Sequence, residues 1–337
     1  TEIYTLSLHD ALPIYRWELA RLSAEGSGIR LRATGFLTHA SAVRGWARDP
    51  VPAGSTPAPA IWQSHLRRGM AYARQWTFGR PPVLNVFIGG DARDPAGMRA
   101  ELSLEAEAIG SRWGTLERLS VWSELNRASN IPGLGLSEAI VNFRGARTAW
   151  GMIQSGQWEV QWMQAFTNLL PAKVEWRLNL DRLQSPWGET PRVQVELGAF
   201  PDPQFPGQLV GEMSATSDAI LGGLARAETN QLTAKVWLDP VTYLPTRADY
   251  QYTAANARFE NGSARALELV GRMRVREPES RVAVDDSWAW WGALAPIELN
   301  WDGEIDGLEL RGVPFDKIEF AADWSAPEFQ LKHLRLE

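Results

Sequence analysis

The sequence contains no cysteine, which removes thiol catalysis, disulfide frameworks and zinc ribbons in one step. Histidine is scarce too: beyond the first fourteen residues there are only His39, His65 and His333, scattered and in no ligand spacing. There is no HExxH, no GxSxG elbow, no phosphate-cradling glycine loop and no GxGxxG after a strand. Asp285 and Asp286 are adjacent, so on an extended chain they point opposite ways and cannot share a proton. No block of five like charges occurs and the net charge is −6; without a basic stripe, nucleic acid is excluded as a partner. The longest apolar runs, such as AWWGALAPI, fall far short of the roughly 20 residues of a spanning helix. No catalytic set, metal site or cofactor is expected.

What is present starts with an oddity. Thr1–Ile14, TEIYTLSLHDALPI, translates a standard short-read sequencing adapter residue for residue, so these fourteen residues are read as non-native and left out of fold reasoning. The other end, FQLKHLRLE, stops inside an alternating run, and the expectation is an internal piece of a longer protein. Between them, 45% hydrophobic and 22% charged residues describe a folded chain. Tryptophan is over-used, at 17 residues.

Period-two alternation is the dominant signal. KVEWRLNLD puts Val174, Trp176, Leu178 and Leu180 on one face and Lys173, Glu175, Arg177, Asn179 and Asp181 on the other. RAELSLEAEAI, PRVQVELG, NQLTAKVWLD, RALELVGRMRVRE and IELNWDGEIDGLELR read the same way. Such alternation predicts strands with one dry and one wet face, whereas buried parallel strands read as unbroken Val/Ile/Leu runs. The fold class expected is mainly β: an extended, curved antiparallel sheet of repeated strand units with a few short amphipathic helices. Glu196, Glu298 and Asp302 fall on wet faces, and Trp176, Trp237 and Trp301 are expected on apolar ones.

Three stretches carry helical spacing instead. Trp62, Leu66, Met70 and Ala73 share a face in the first; Trp158, Trp162, Phe166 and Leu169 in the second; Trp288, Trp291 and Leu294 or Ala295 in the third. Each leads through proline into an alternating strand, giving helix–Pro–strand units near 60–110, 158–200 and 288–337 of a repeating region spanning 15–337. Gly114, Gly188 and Gly262 precede strands at a spacing of 74 residues, with Gly312 a looser fourth. Repeats of this length indicate an array in which each unit buries its face on its neighbours.

The unit of amphipathic helix, proline, alternating strand, glycine and strand resembles the AsmA-like and TamB-like superfamily of bacterial envelope proteins. LPAKVEWRLNLDRLQSPWG and the closing IELNWDGEIDGLELRGVPFDKIEFAADWSAPEFQLKHLRLE carry the resemblance, which spans Val83 to Glu337 as a rhythm rather than a motif. It implies a periplasmic region held by an upstream inner-membrane anchor. It also implies a β-groove with an apolar concave face that conducts phospholipid acyl chains, in outer-membrane assembly or lipid homeostasis. The residues expected to face lipid are Val174, Trp176, Leu178, Leu180, Val193, Val195, Leu197, Ile297, Leu299 and Trp301. Two other readings stay open: a secreted carbohydrate-binding or carbohydrate-active sandwich with exposed Trp beside carboxylates, and a β-repeat scaffold with no ligand.

Overall fold

The computed structural model describes residues 16–40, 75–165, 171–275 and 297–337, less a few positions in connections. These residues are almost entirely strand, in curved antiparallel sheet. The chain divides into two units, Thr1–Leu169 and Leu170–Glu337.

The first unit holds β1 (Arg16–Gly26), β2 (Ile29–Thr38), β3 (Thr77–Phe78), β4 (Val83–Asp91), β5 (Arg99–Ser111), β6 (Gly114–Ala128), β7 (Leu134–Thr148) and β8 (Gly151–Ala165). They pair in the order β1-β2-β4-β5-β6-β7-β8, with the short β3 also on β5. The β2–β4 pair is parallel; the others are antiparallel. The second unit holds β9 (Lys173–Ser185), β10 (Gly188–Pro201), β11 (Leu209–Ser217), β12 (Ile220–Leu221), β13 (Ala225–Ala227), β14 (Thr229–Leu238), β15 (Pro245–Phe259), β16 (Gly262–Val275), β17 (Ile297–Leu310), β18 (Val313–Ser325) and β19 (Glu328–Leu336). The long strands pair as β9-β10-β11-β14-β15-β16-β17-β18-β19, all antiparallel, with β12 and β13 bridging one end. In both units the substantial contacts between strands run between hydrogen-bonded neighbours. No separate second sheet occurs among the described residues of either unit.

Five of the antiparallel hairpins carry the same local event. The alternation slips by one, so that apolar residues fall three apart: Leu116 and Leu119, Leu180 and Leu183, Ala264 and Leu267, Ile305 and Leu308, Phe315 and Ile318. Opposing strands slip at the same level, so the register survives: Glu107 pairs with Arg118 and Ile109 with Leu116, while Asp306 pairs with Lys317 and Leu308 with Phe315. One strand of each pair supplies a left-handed residue there, namely Ala108, Gly145, Arg182, Asn256 or Gly307, with φ between 48° and 66°. The slip therefore forms a crease running across the strands. Beside it, Ile109, Leu308 and Ile318 are buried, and Ala264, Leu308 and Ile318 pack with Ile305 and Phe315.

A repeat shorter than the expected 74 residues organises these hairpins. Ser111, Thr148 and Ser185 stand 37 residues apart, in Ser-Arg-Trp-Gly, Thr-Ala-Trp-Gly and Ser-Pro-Trp-Gly. Each pairs across a two-residue connection with the glycine that opens the next strand, Gly114, Gly151 or Gly188. Each hydroxyl donates to that glycine's carbonyl oxygen, at 3.3, 3.3 and 3.0 Å. The glycines sit at φ 147–156°, backbone that side chains with a Cβ avoid. A Cβ on Gly114 would also collide with the Arg147 carbonyl of the next hairpin. Gly312 does a different job: with Arg311 it forms a two-residue turn with both φ positive, 51° and 80°, the hairpin turn that matches strand twist.

One expected helix is corrected. Trp158 and Trp162 lie in strand β8, whose register sets Trp158 opposite Val141 and Trp162 opposite Ser137. A spacing of four fits a helix and two strand periods alike, and Val160 between the two tryptophans decides for the strand. Residues 166–170, the stretches carrying Trp62 to Ala73 and Trp288 to Ala295, and Thr1–Ile14 lie outside the described residues.

Candidate functional site

Antiparallel partners directly opposite one another share a face, so register alone assembles the apolar surface of the second unit. One row runs Trp176–Leu197–Met213–Ala234 and continues Tyr250–Gly271–Trp301–Ala322. Leu178 and Val195 open the next row, Leu180 and Val193 the one after, and Val174 starts a row that reaches Met273 and Leu299. Ile297, opposite Val275, lies one step further along that face. All ten residues singled out from the sequence, on β9, β10 and β17, thus stand on one face of the sheet.

Glycines keep this floor level. A Cβ on Gly271 would come within 2.8 Å of the Tyr250 hydroxyl, and one on Gly303 would strike the Phe320 ring. The aromatic rings thus lie across the strands over bare backbone. Leu197, Leu209, Val236 and Leu238 are buried, with Trp176 and Met213 packed against them. At the outer edge Trp301 meets Phe329 at 6.1 Å between ring centroids, and Phe329, Leu331, Leu334 and Leu336 of β19 are all at least half exposed.

The opposite face is charged. Lys173 reaches Glu175 at 2.7 Å, Arg177 reaches Glu196 at 2.7 Å, Arg247 reaches Asp249 at 3.2 Å, and Lys317 sits 3.0 Å from both Glu304 and Glu319. These carboxylates hold the Lys317 ammonium above its ordinary range. Asp323 is held below its ordinary range by Lys332 and Asn300. A cavity of about 1200 Å³ lies on this side, lined by Glu196, Glu212, Lys235, Asp249, Arg272 and Asp302 among others, so this hollow falls on the charged face and not on the apolar face expected to be concave. Glu196 and Asp302 fall here, as expected. Trp237 is a correction: it shares its parity with Lys235 and not with Val236 and Leu238. It therefore stands on the charged face, under Arg247 at 4.3 Å and Lys235 at 5.4 Å from the ring centroid. Cation–π stacking accounts for a large ring among charges.

Polar groups do interrupt the apolar face at one place. Ser217 and Asn230 are register partners in a row that otherwise reads Leu180–Val193 on one side and Ala254–Leu267 on the other. The Tyr252 hydroxyl donates to Asn230 Oδ1 at 2.7 Å. Burial pushes the phenols of Tyr250 and Tyr252 above their ordinary range. Nothing in single-sequence patterning marked Ser217, Asn230 or Tyr252; the signal available was a polar pair standing in phase with apolar neighbours.

In the first unit, His39 Nδ1 lies 3.0 Å from both Asp91 oxygens, and Arg93 Nη2 lies 2.8 Å from Oδ2. The Arg93 hydrogen bonds drive the Asp91 carboxyl far below its usual range. This clamp ties the loop after β4 to the end of β2. Among the described residues no group of histidine and carboxylates is arranged to hold a metal ion. No family model matches the chain, no curated protein is similar to it, and no solved structure aligns with it.

Proposed function

We propose that the protein is a non-enzymatic lipid-binding segment of the cell envelope whose apolar sheet face accepts phospholipid acyl chains. The carrying observation is the apolar surface that register assembles over nine strands of the second unit, broken only at Ser217 and Asn230 and with a charged reverse side. Each methylene removed from water contributes roughly 0.8 kcal/mol. A sixteen-carbon chain laid on such a face gains on the order of 10 kcal/mol before ordering costs are subtracted. The aromatic-capped glycines favour this reading, since a flat floor meets a flexible chain along its whole length. The envelope placement and the upstream membrane anchor rest on the family resemblance. The carbohydrate reading needs a compact sandwich of two sheets, and no separate second sheet occurs among the described residues.

The test is mass spectrometry of lipids co-purified with the chain under native conditions. Near-stoichiometric phospholipid is expected, falling several-fold in Leu178→Asp and staying unchanged in Arg177→Asp, whose side chain faces the charged side. Lipid-free, folded wild-type protein, or equal losses in the two folded variants, would count against the proposal.

A further inference from the structure

On the lipid-binding reading above, we infer that Asn230, oriented by Tyr252, is the polar anchor for the oxygen end of the lipid. That end is the ester carbonyl or the phosphate oxygen where the acyl chain meets its headgroup. Asn230 is only 7% exposed and lies on the apolar face between Ser217 and Ala254. The Tyr252 hydroxyl occupies its Oδ1 at 2.7 Å, which fixes the amide, because the hydroxyl proton points at the carbonyl oxygen. The Nδ2 donor on the other side is buried and has no hydrogen-bond partner. Buried polar nitrogens in native folds are nearly always satisfied, and an unsatisfied one carries a stability penalty that an apolar side chain of the same size would avoid.

The position fits the chemistry. The apolar rows run on one side of Asn230 along the strands, and the left-handed residues Arg182 and Asn256 follow on the other side of its row. A chain lying on the floor therefore has its methylenes over Leu232, Ala234 and Val236 and its polar end at Asn230. A neutral amide donor suits a neutral ester carbonyl or one phosphate oxygen, and no buried countercharge is needed. A pure hydrocarbon has nothing to offer it.

Binding to the full chain is measured for three probes: hexadecane, methyl palmitate and phosphatidylethanolamine in mixed micelles. Wild type is expected to prefer the two oxygen-bearing probes over hexadecane. Asn230→Leu combined with Tyr252→Phe is expected to weaken both about tenfold, the equivalent of one lost hydrogen bond. Hexadecane binding should stay the same and the melting temperature should rise. If only phosphatidylethanolamine weakens, the anchored oxygen is the phosphate; if methyl palmitate weakens equally, it is the ester. Tyr252→Phe alone keeps the donor but frees the amide to rotate, and should lose less, giving a second readout should the double variant fail to fold. Equal change for all three probes, or no change for any, overturns the anchor. Wild type that binds hexadecane as well as the ester sinks the anchor and leaves the apolar face standing; wild type that binds none of the three overturns both.

Discussion

Individual residues hold the hairpins in place through backbone with positive φ. Ala108 adopts φ 49°, a left-handed conformation that costs a residue with a Cβ roughly 1–2 kcal/mol. Ala108→Gly should therefore stabilise the first unit by up to about 1 kcal/mol after the flexibility glycine adds to the unfolded chain, read from urea midpoints. Gly114→Ala should do the reverse by more, since the new Cβ meets the Arg147 carbonyl; equal midpoints for wild type and this variant would remove the close-approach argument. Asp91 supplies a pH signature. Its carboxyl is depressed in the folded state by Arg93 and by His39, so the clamp's contribution is complete above the unfolded value near 4. It fades as pH falls through that value towards the lower folded one. Thermal melts between pH 5 and pH 2 should lose part of their acid slope in Asp91→Asn, and an unchanged slope would show that the clamp does not contribute.

At the scale of the element, the hairpin of 37 residues is the building unit. It combines a left-handed residue, a hydroxyl that caps the connection, and a glycine that lets the next hairpin close in. Ala108, Gly145 and Arg182 keep the 37-residue step, as do Gly114, Gly151 and Gly188, and Asn256 and Gly262 follow at twice that distance. Apolar side chains are buried beside the crease this creates, as at Ile109 and Ile318. Strand β8 shows how the unit absorbs tryptophan: Trp158, Val160 and Trp162 alternate with Glu159 and Gln161. Val160→Pro would remove a ladder donor in this strand and should lower the stability of the first unit by about 3 kcal/mol or more. The same change in a helix is no milder, so the deciding measurement is circular dichroism, where wild type should lack helical signal proportionate to a helix over 158–169.

At the largest scale, the consequence of repetition in the second unit is a sheet whose two faces have different chemistry. One face presents carboxylates, lysines and arginines paired across strands, each exposed pair worth little but together keeping that side in water. The other presents a continuous apolar floor with one polar break at Ser217 and Asn230. No separate second sheet occurs among the described residues, and large apolar surfaces left open in this way mark binding sites. β19 ends the described pairing of the second unit with four half-exposed apolar side chains, and such edges associate readily.

The alternation in KVEWRLNLD and its relatives was enough to establish antiparallel strands and to assign each residue to a face, because a side chain on a strand has only two directions to choose from. That is why all ten chosen residues share one side, and why the charged complement of the sheet was legible from letters. Three things needed the tertiary structure. The helix expected at Trp158 became a strand because a four-residue spacing belongs to both periods. Trp237 moved to the charged face because its own size and hydrophobicity mattered less than being in phase with Lys235. The anchor at Asn230 emerged only through register, since Ser217, Asn230 and Tyr252 are far apart along the chain and become neighbours when β11, β14 and β15 pair. Sequence periodicity determines which way a side chain points; pairing between strands decides what it stands beside.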